Sequence, residues 1–294
     1  MRIAILGPVC KDIITIDGAK SVQLGGIPYY AGLTLYHLGK QDTVLYATYG
    51  KDDEEWVSGY LKDVNVRAIP VKRSHESHSV YSSENPDVRE NEIRYTRNTI
   101  EPKDELFREL ETFDMIILAP LFHDDVPFEF FERLRHKNLV HGNFGLFTYS
   151  EEGKFMRKHP ENLLGVLPFL SSLFLDIHEG MYVSGKETVE DAAATLLSGG
   201  VETVALTDGS RGSYIFREDE RFDIPAFPPR ILADPTGAGD TYLAAYVRAT
   251  ELFESIPKRG EFAAMAATIS LEKPGAFDSD IEEVYRRLGW EQAS

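Results

Sequence analysis

Six short runs rich in Val, Ile and Leu recur along the first two thirds of the chain: RIAILG (2–7), TVLYAT (43–48), DMIILA (114–119), NLVHGN (138–143), SLFLDI (172–177) and ETVALT (202–207). Helix-like patterns lie between several of them, as in YYAGLTLYHLG (29–39) and EDAAATLLSGG (190–200). Buried strands separated by helices predict a parallel sheet covered on both faces, so the fold class is α/β. Two long helical stretches, 240–253 and 260–272, follow in the last third. Two segments depart from this pattern: DIITIDGAKSVQL (12–24) and HSVYSSENPDVRENEIRYTRN (78–98) alternate apolar and polar residues around turn signals. Such segments read as exposed hairpins, too polar for a core. They predict a small separate β-sheet over one end of the main one, a lid able to exclude water.

Composition narrows the possibilities. The 294 residues suffice for one large domain plus an appendage, and the hydrophobic fraction of 43% permits a core. We expect one domain over 1–294, with lid segments at about 12–25 and 76–98 inserted in it. No apolar run approaches the roughly 18 residues of a membrane span. The N-terminus lacks a small-residue cleavage site and reads as a first strand. A single cysteine, Cys10, excludes an internal disulfide, suits a reducing cytoplasm, and is expected to be an inert core thiol. The net charge of -17 argues against nucleic acid or anionic membrane as a partner. It leaves room for a phosphorylated ligand, because a helix N-terminus and bound Mg²⁺ reverse the potential locally.

The richest stretch is ILADPTGAGDTYLAAYVRATELF (231–253). An apolar run ends at Ala233, a Gly-Ala-Gly turn follows, and a helix opens at about Asp240. The backbone N–H groups of Gly237, Ala238 and Gly239 then form an anion hole, and a Cβ at the glycines would block the turn or the approach of a phosphate. Asp240 has two readings, a general base for an attacking hydroxyl or a helix cap. The dinucleotide fingerprint is broken, since its third glycine would be Tyr242, and no G-x-x-x-x-G-K-[ST] occurs.

DPTGAGDTYLAAY closely resembles the C-terminal signature of the ribokinase-like (PfkB) carbohydrate kinases. Asp12, Gly25-Gly26, Leu38-Gly39 and Gly50-Lys51-Asp52 follow that family's first signature in order. TDGSRGSYIF (207–216) resembles its nucleotide-binding hairpin, and EFAAMAATISLEKPGAFDS (261–279) its closing helix and loop. The resemblance implies a three-layer sandwich around a mostly parallel sheet, plus the lid. It also implies an ATP- and Mg²⁺-dependent kinase acting on a hydroxyl of a small sugar, ring polyol or nucleoside. Asp240 would be the base, with Gly237, Ala238 and Gly239 as phosphate donors. Asp176 and Glu179 would organise Mg²⁺ through water, with Asp176 standing where the family has Asn. Thr207, Gly209, Gly212, Thr236 and Ala264 would line the nucleotide. Asp234, Thr236, Ser270, Lys273, Gly275 and Ser279 match positions that bind a monovalent cation such as K⁺. Pairing of the lid edges in several members implies a homodimer.

The acceptor end departs from the family pattern. Asp12, Gly25 and Gly26 match substrate-contacting positions, but Tyr30 replaces an Asn, and the acidic residue expected after the mid-sheet strand is missing from LAPLFHDD (118–125). Ribose would leave hydroxyls unpaired there. Tyr29, Tyr30, Phe122 and Phe144 suggest an aromatic pocket, or alternatively core packing. His75 and His78 have a spacing that metal sites use, without a third ligand in view. A sensor that kept the fold and lost the chemistry is the competing class.

Overall fold

The structure, a computed structural model, describes residues 1–82, 85–94, 98–142, 145–151 and 154–290. The chain begins β1 (Ile3–Pro8), β2 (Cys10–Ile16), β3 (Ala19–Gly25), α1 (Ile27–His37), β4 (Val44–Gly50), α2 (Glu54–Tyr60), β5 (Asn65–Val71). It continues β6 (His75–Ser82), β7 (Asn85–Arg94), α3 (Asp104–Leu110), β8 (Met115–Leu118), α4 (Phe128–Arg133), β9 (Asn138–Gly142), β10 (Thr148–Glu151), β11 (Lys154–Arg157). Next come α5 (Glu161–Val166), β12 (Ser172–Asp176), α6 (Ile177–Ser184), α7 (Val189–Ser198), β13 (Thr203–Thr207), β14 (Ser213–Arg217), β15 (Glu220–Ile224). It closes with α8 (Ala238–Leu252), α9 (Ile256–Ser270) and α10 (Ile281–Leu288).

The six apolar runs become β1, β4, β8, β9, β12 and β13, the middle of a nine-stranded sheet ordered β15-β14-β13-β12-β9-β8-β1-β4-β5. Pairing is parallel from β5 through β13 and antiparallel at β14 and β15. Strand alternation divides the core. Ile3 and Ile5 join Leu35 of α1, Leu243 of α8 and Phe262 of α9 on one face. Ala4 and Leu6 join Phe107 of α3, Phe130 of α4 and Leu196 of α7 on the other. This is the expected three-layer sandwich, with each fully buried large side chain contributing about 1.5–3 kcal/mol. Among the described residues, no helix is long and apolar enough to cross a membrane.

A second sheet of four strands, ordered β3-β2-β6-β7, stands at the C-terminal end of β1. Asp17 and Gly18 join β2 to β3 with φ of 47° and 85°, the paired positive values of a tight hairpin turn. The sheet is tied at its root, where Lys11 Nζ lies 2.9 Å from Asp53 Oδ1 and Ser74 Oγ donates to Asp53 Oδ2 at 2.7 Å. Of the proposed lid segment 76–98, residues 83–84 and 95–97 lie outside the described residues, as does Phe144.

Several elements absent from the sequence reading have weak signals. Strand β5 is an edge strand with no buried residue, and α2, α3, α4 and α5 run only six or seven residues, under two turns. The sheet reverses its winding at β1, which lies between β4 and β8. Ligands of open parallel sheets bind beyond the C-terminal strand ends at such a point.

Candidate active site

A cavity of about 360 Å³ occupies that position. Strands β9, β12 and β13 end at it, the second sheet forms one wall, and the first turn of α8 forms another. The turn is built by Gly237, the N-cap of α8 at φ 79°, where an added Cβ would lie 2.2 Å from Tyr30 Cδ1. Helix α8 therefore starts at Ala238, two residues earlier than the sequence suggested. Asp240 sits within the first turn instead of capping it, and no side chain caps this helix. The first N–H groups of a helix have no intrahelical acceptors, so they carry partial positive charge where Pro235, Thr236, Gly237, Ala238 and Gly239 line the cavity. Gly239 is exposed, and a Cβ there would meet no heavy atom within 4 Å.

Behind this turn, Asp234 is buried. Its Oδ1 accepts from Thr236 N at 2.9 Å and its Oδ2 from Gln23 Nε2 at 3.2 Å. Gln23 also donates to Tyr30 Oη at 3.2 Å, so residues from opposite ends of the chain hold the turn. Burial, then the charges of Asp12 and Asp234, push the Tyr30 phenol well up.

The second sheet presents four side chains to the cavity. Cys10 and Asp12 lie two apart on β2, His75 and Ser77 two apart on β6, and the register pairs Cys10 with His75 and Asp12 with Ser77. Period-two alternation puts all four on one face. Gly25 makes room for Asp12, because a Cβ there would come within 2.0 Å of Asp12 Oδ2. Gly26 lines the cavity at φ 92°, with Pro8 O 2.6 Å from where a Cβ would sit. Cys10 is buried as expected, but it belongs to the cavity wall and donates to Asp12 Oδ1 at 2.9 Å. Burial and then the charges of Asp12, Asp240 and Asp125 push its thiol well up, so three carboxylates surround this end.

Asp125, the last residue of LAPLFHDD, is outside the cavity wall. It is fully buried, with Oδ1 3.0 Å from His75 Nε2. His75 and His78, three apart on a strand, point to opposite faces. Among the described residues no group of three or more His, Cys, Asp and Glu is placed to hold a metal.

At the other end, Asp176 and Glu179 form a reciprocal capping box on α6. Asp176 Oδ1 accepts from Glu179 N at 2.8 Å, and Glu179 Oε2 from Asp176 N at 3.1 Å. Both line the cavity with Thr207, and Glu179 is 5% exposed, so this helix start is not simply solvated. Arg157 of β11 places Nη2 3.6 Å from Glu179 Oε1. Gly209, Gly212 and Ala264 are outside the cavity wall. Gly212 has a structural reason to be glycine, with φ 100° and Ile224 O 2.2 Å from a would-be Cβ. The cation set is divided. Ser270 donates its hydroxyl to Ala267 O, Lys273 pairs with Asp278, and Lys273 and Ser279 line a separate surface cleft. Gly275 has φ 94° beside Tyr29 Oη, which is outside the cavity wall and accepts from Ala276 N at 3.2 Å. Phe122 and Tyr30 do line the cavity.

The sequence reading missed Cys10, His75, Ser77, Asp125 and Gln23 as parts of this region. Alternation from Asp12 carries a signal for Cys10, but the β2–β6 register that brings in His75 and Ser77 has none in a single chain.

Known proteins share this architecture. A pyrophosphate-dependent kinase in the ribokinase family, solved with a pyrophosphate analog and myo-inositol, superposes with a TM-score of 0.82 at 21% identity, covering 96% of this chain and 99% of that one. The fold is that of the ribokinase-like kinases. The pfkB family carbohydrate kinase pattern matches residues 33–283, and the chain belongs to that family. A nucleoside kinase of Methanocaldococcus jannaschii is 30% identical over 117 residues, 39% of this chain and 37% of that protein. A cytidine kinase of Thermococcus kodakarensis is 32% identical over 115 residues, 37% of this chain and 40% of that protein. The matches span about two fifths of the length of these curated relatives.

Proposed function

We propose that this chain transfers the γ-phosphoryl group of ATP to a hydroxyl of a small, neutral sugar or ring polyol, with Asp240 as general base. The placement of Asp240 in the first turn of α8, at a cavity wall beside the helix N-terminus, carries this reading. The acceptor hydroxyl attacks the γ-phosphorus in line, a new P–O bond forms, and the bond to the bridging oxygen breaks to release ADP. Asp240 takes the hydroxyl proton, and the amides of Gly237, Ala238 and Gly239 stabilise the charge on the transferring group. Asp176 and Glu179 suit Mg²⁺ held through water, two carboxylates on one helix start. Bound Mg²⁺ would neutralise the donor phosphates. Thr207 and Thr236 line the cavity, and Gly209, Gly212 and Ala264 would border the nucleotide outside it.

A neutral acceptor is favoured because no Lys or Arg lines the cavity among the described residues, while Asp12 and Asp240 do. An anionic acceptor would meet carboxylates, whereas hydroxyl donors suit them. A nucleoside is the second reading, favoured by the Phe122–His75 ring contact at 4.8 Å in the wall. Potassium belongs to the proposal through the segments 234–236 and 270–279. They meet where Leu271 O accepts from Ala233 N and Asp234 N. A homodimer would form through the second sheet, where Val22 and Val80 are exposed. A cytoplasmic location fits the one free thiol.

The test is ADP release with Mg·ATP across pentoses, hexoses, inositols and nucleosides, with pyrophosphate as a parallel donor and Asp240→Asn as control. One compound should turn over, and Asp240→Asn should lower kcat at least about a hundredfold. A panel silent with every donor while ATP still binds would favour the sensor, and full activity in Asp240→Asn would remove the assigned base.

A further inference from the structure

Strand β3 is exposed from Ala19 to Val22, and Gln23 is its first buried residue, at 8% exposure. It stands directly opposite Asp12 of β2, and opposed residues of paired strands share a face of their sheet. Asp12 lines the cavity, whereas Gln23 is outside the cavity wall and bonds to the segment that precedes α8.

The amide has one arrangement there. A carboxylate only accepts, so the nitrogen faces Asp234, and its two hydrogens serve Asp234 Oδ2 and Tyr30 Oη, each at 3.2 Å. Asp234 is 4% exposed, and its other oxygen accepts from Thr236 N at 2.9 Å. A carboxylate so buried keeps its donors, because losing one leaves charge uncompensated away from water. The ring of Tyr30 lies against Gly237, whose added Cβ would come within 2.2 Å of it. Gln23 thus bonds to both supports of the turn, the carboxylate that holds Thr236 N and the ring that packs on Gly237.

Adhesion alone does not call for this choice. An apolar side chain of the same length would join β3 to the body as well, since hydrogen bonds add little net stability. An amide forked between a carboxylate and a phenol fixes where the turn stands relative to the strand, because both bonds have a set length and direction.

We propose that Gln23 is a positioning residue for phosphoryl transfer, setting the N–H groups that open α8 from the strand beside Asp12. It acts through Asp234 and Tyr30 and touches no reactant. The second sheet then contributes to the transfer step as well as to the wall. This inference rests on the kinase reading above.

The experiment compares wild type, Gln23→Met and Tyr30→Phe below their melting temperatures. It reads single-turnover transfer from Mg·ATP to the acceptor that turns over, and hydrogen exchange at 234–239 without ligands. Gln23→Met keeps length and bulk and removes the amide. Its transfer rate should fall about tenfold or more with acceptor KM within about threefold, because displaced amides act on the transition state. Exchange at 234–239 should rise about tenfold while β12 and β13 exchange as in wild type. Tyr30→Phe removes one arm of the fork and keeps the ring, so its exchange should rise by less, which keeps the test open if Gln23→Met does not fold. Wild-type transfer in Gln23→Met, even with a lowered Tm, would mean a structural role and overturn the inference. Unchanged exchange in both variants overturns it too. A wild type silent with every acceptor overturns the kinase reading and this step with it, while exchange still reads whether Gln23 holds the turn.

Discussion

Gly237 and Gly239 stand two residues apart in one turn, and the structure separates why each is glycine. At Gly239 the backbone has no positive φ, the position is exposed, and an added Cβ meets no heavy atom within 4 Å. Nothing in the fold requires glycine there, so Gly239→Ala should stabilise the first turn of α8 by up to about 1 kcal/mol. That corresponds to a rise in Tm of about 2 °C for a chain of this size. If a phosphate approaches this amide closely, the same methyl group displaces it, and loss of one such donor costs about 10²–10³ in kcat. Gly237→Ala is the contrast. Its φ of 79° costs an L-residue roughly 1–2 kcal/mol, and the 2.2 Å approach to Tyr30 adds about 1–3 kcal/mol of overpacking. Its Tm should fall by roughly 5–15 °C. Thermal melting followed by circular dichroism, with coupled ADP release on the same samples, reads both quantities. A Gly239→Ala protein that is stable and fully active would show that no phosphate lies against this amide. One that unfolds would contradict the open space around the position.

Asp176 and Asp53 give two further tests. Asp176→Asn preserves an N-cap acceptor and should leave Tm unchanged while weakening Mg²⁺ dependence, whereas Asp176→Ala should also cost about 1 kcal/mol in melting experiments. Equal Mg²⁺ dependence in wild type and Asp176→Asn would confine this residue to capping. Burial pushes the Asp53 carboxyl up, but hydrogen bonds from Ser74 and Lys11 and the Lys11 charge outweigh it and hold the group below its ordinary value. Its stabilisation is therefore present above the usual aspartate range, about pH 4, and is lost as pH falls through the lower folded value. Melting at pH 6 and pH 3 should show a smaller acid loss in Asp53→Asn than in wild type, and identical losses would refute the assignment.

Much of this was readable in the chain because strong local signals and long elements coincide. The six apolar strands emerged within two residues of their ends, and the Gly-Ala-Gly turn with Asp240 needed only its own sequence. What stayed hidden depends on register or long-range packing. His75 reaches the cavity because β6 pairs in parallel with β2, a pairing that no local pattern encodes. Asp125 stands beside Asp124 in the same loop, and its burial against His75 distinguishes the two. The helix start was misplaced because Gly237, a poor helix residue, acts here as the N-cap through its positive φ.

The bonds between chain ends bear on how the molecule comes into being. Gln23 meets Asp234, Tyr29 meets Ala276, and α1 packs on α8, all across more than 200 residues. During synthesis the N-terminal strands must wait for most of the polypeptide before Gln23 and Asp234 can lock the turn that opens α8. Such non-local closure is slow and leaves α1's partner face uncovered in the meantime. The cavity is thus completed late in folding, and a nascent chain that ends before α8 has the second-sheet wall but not Asp240.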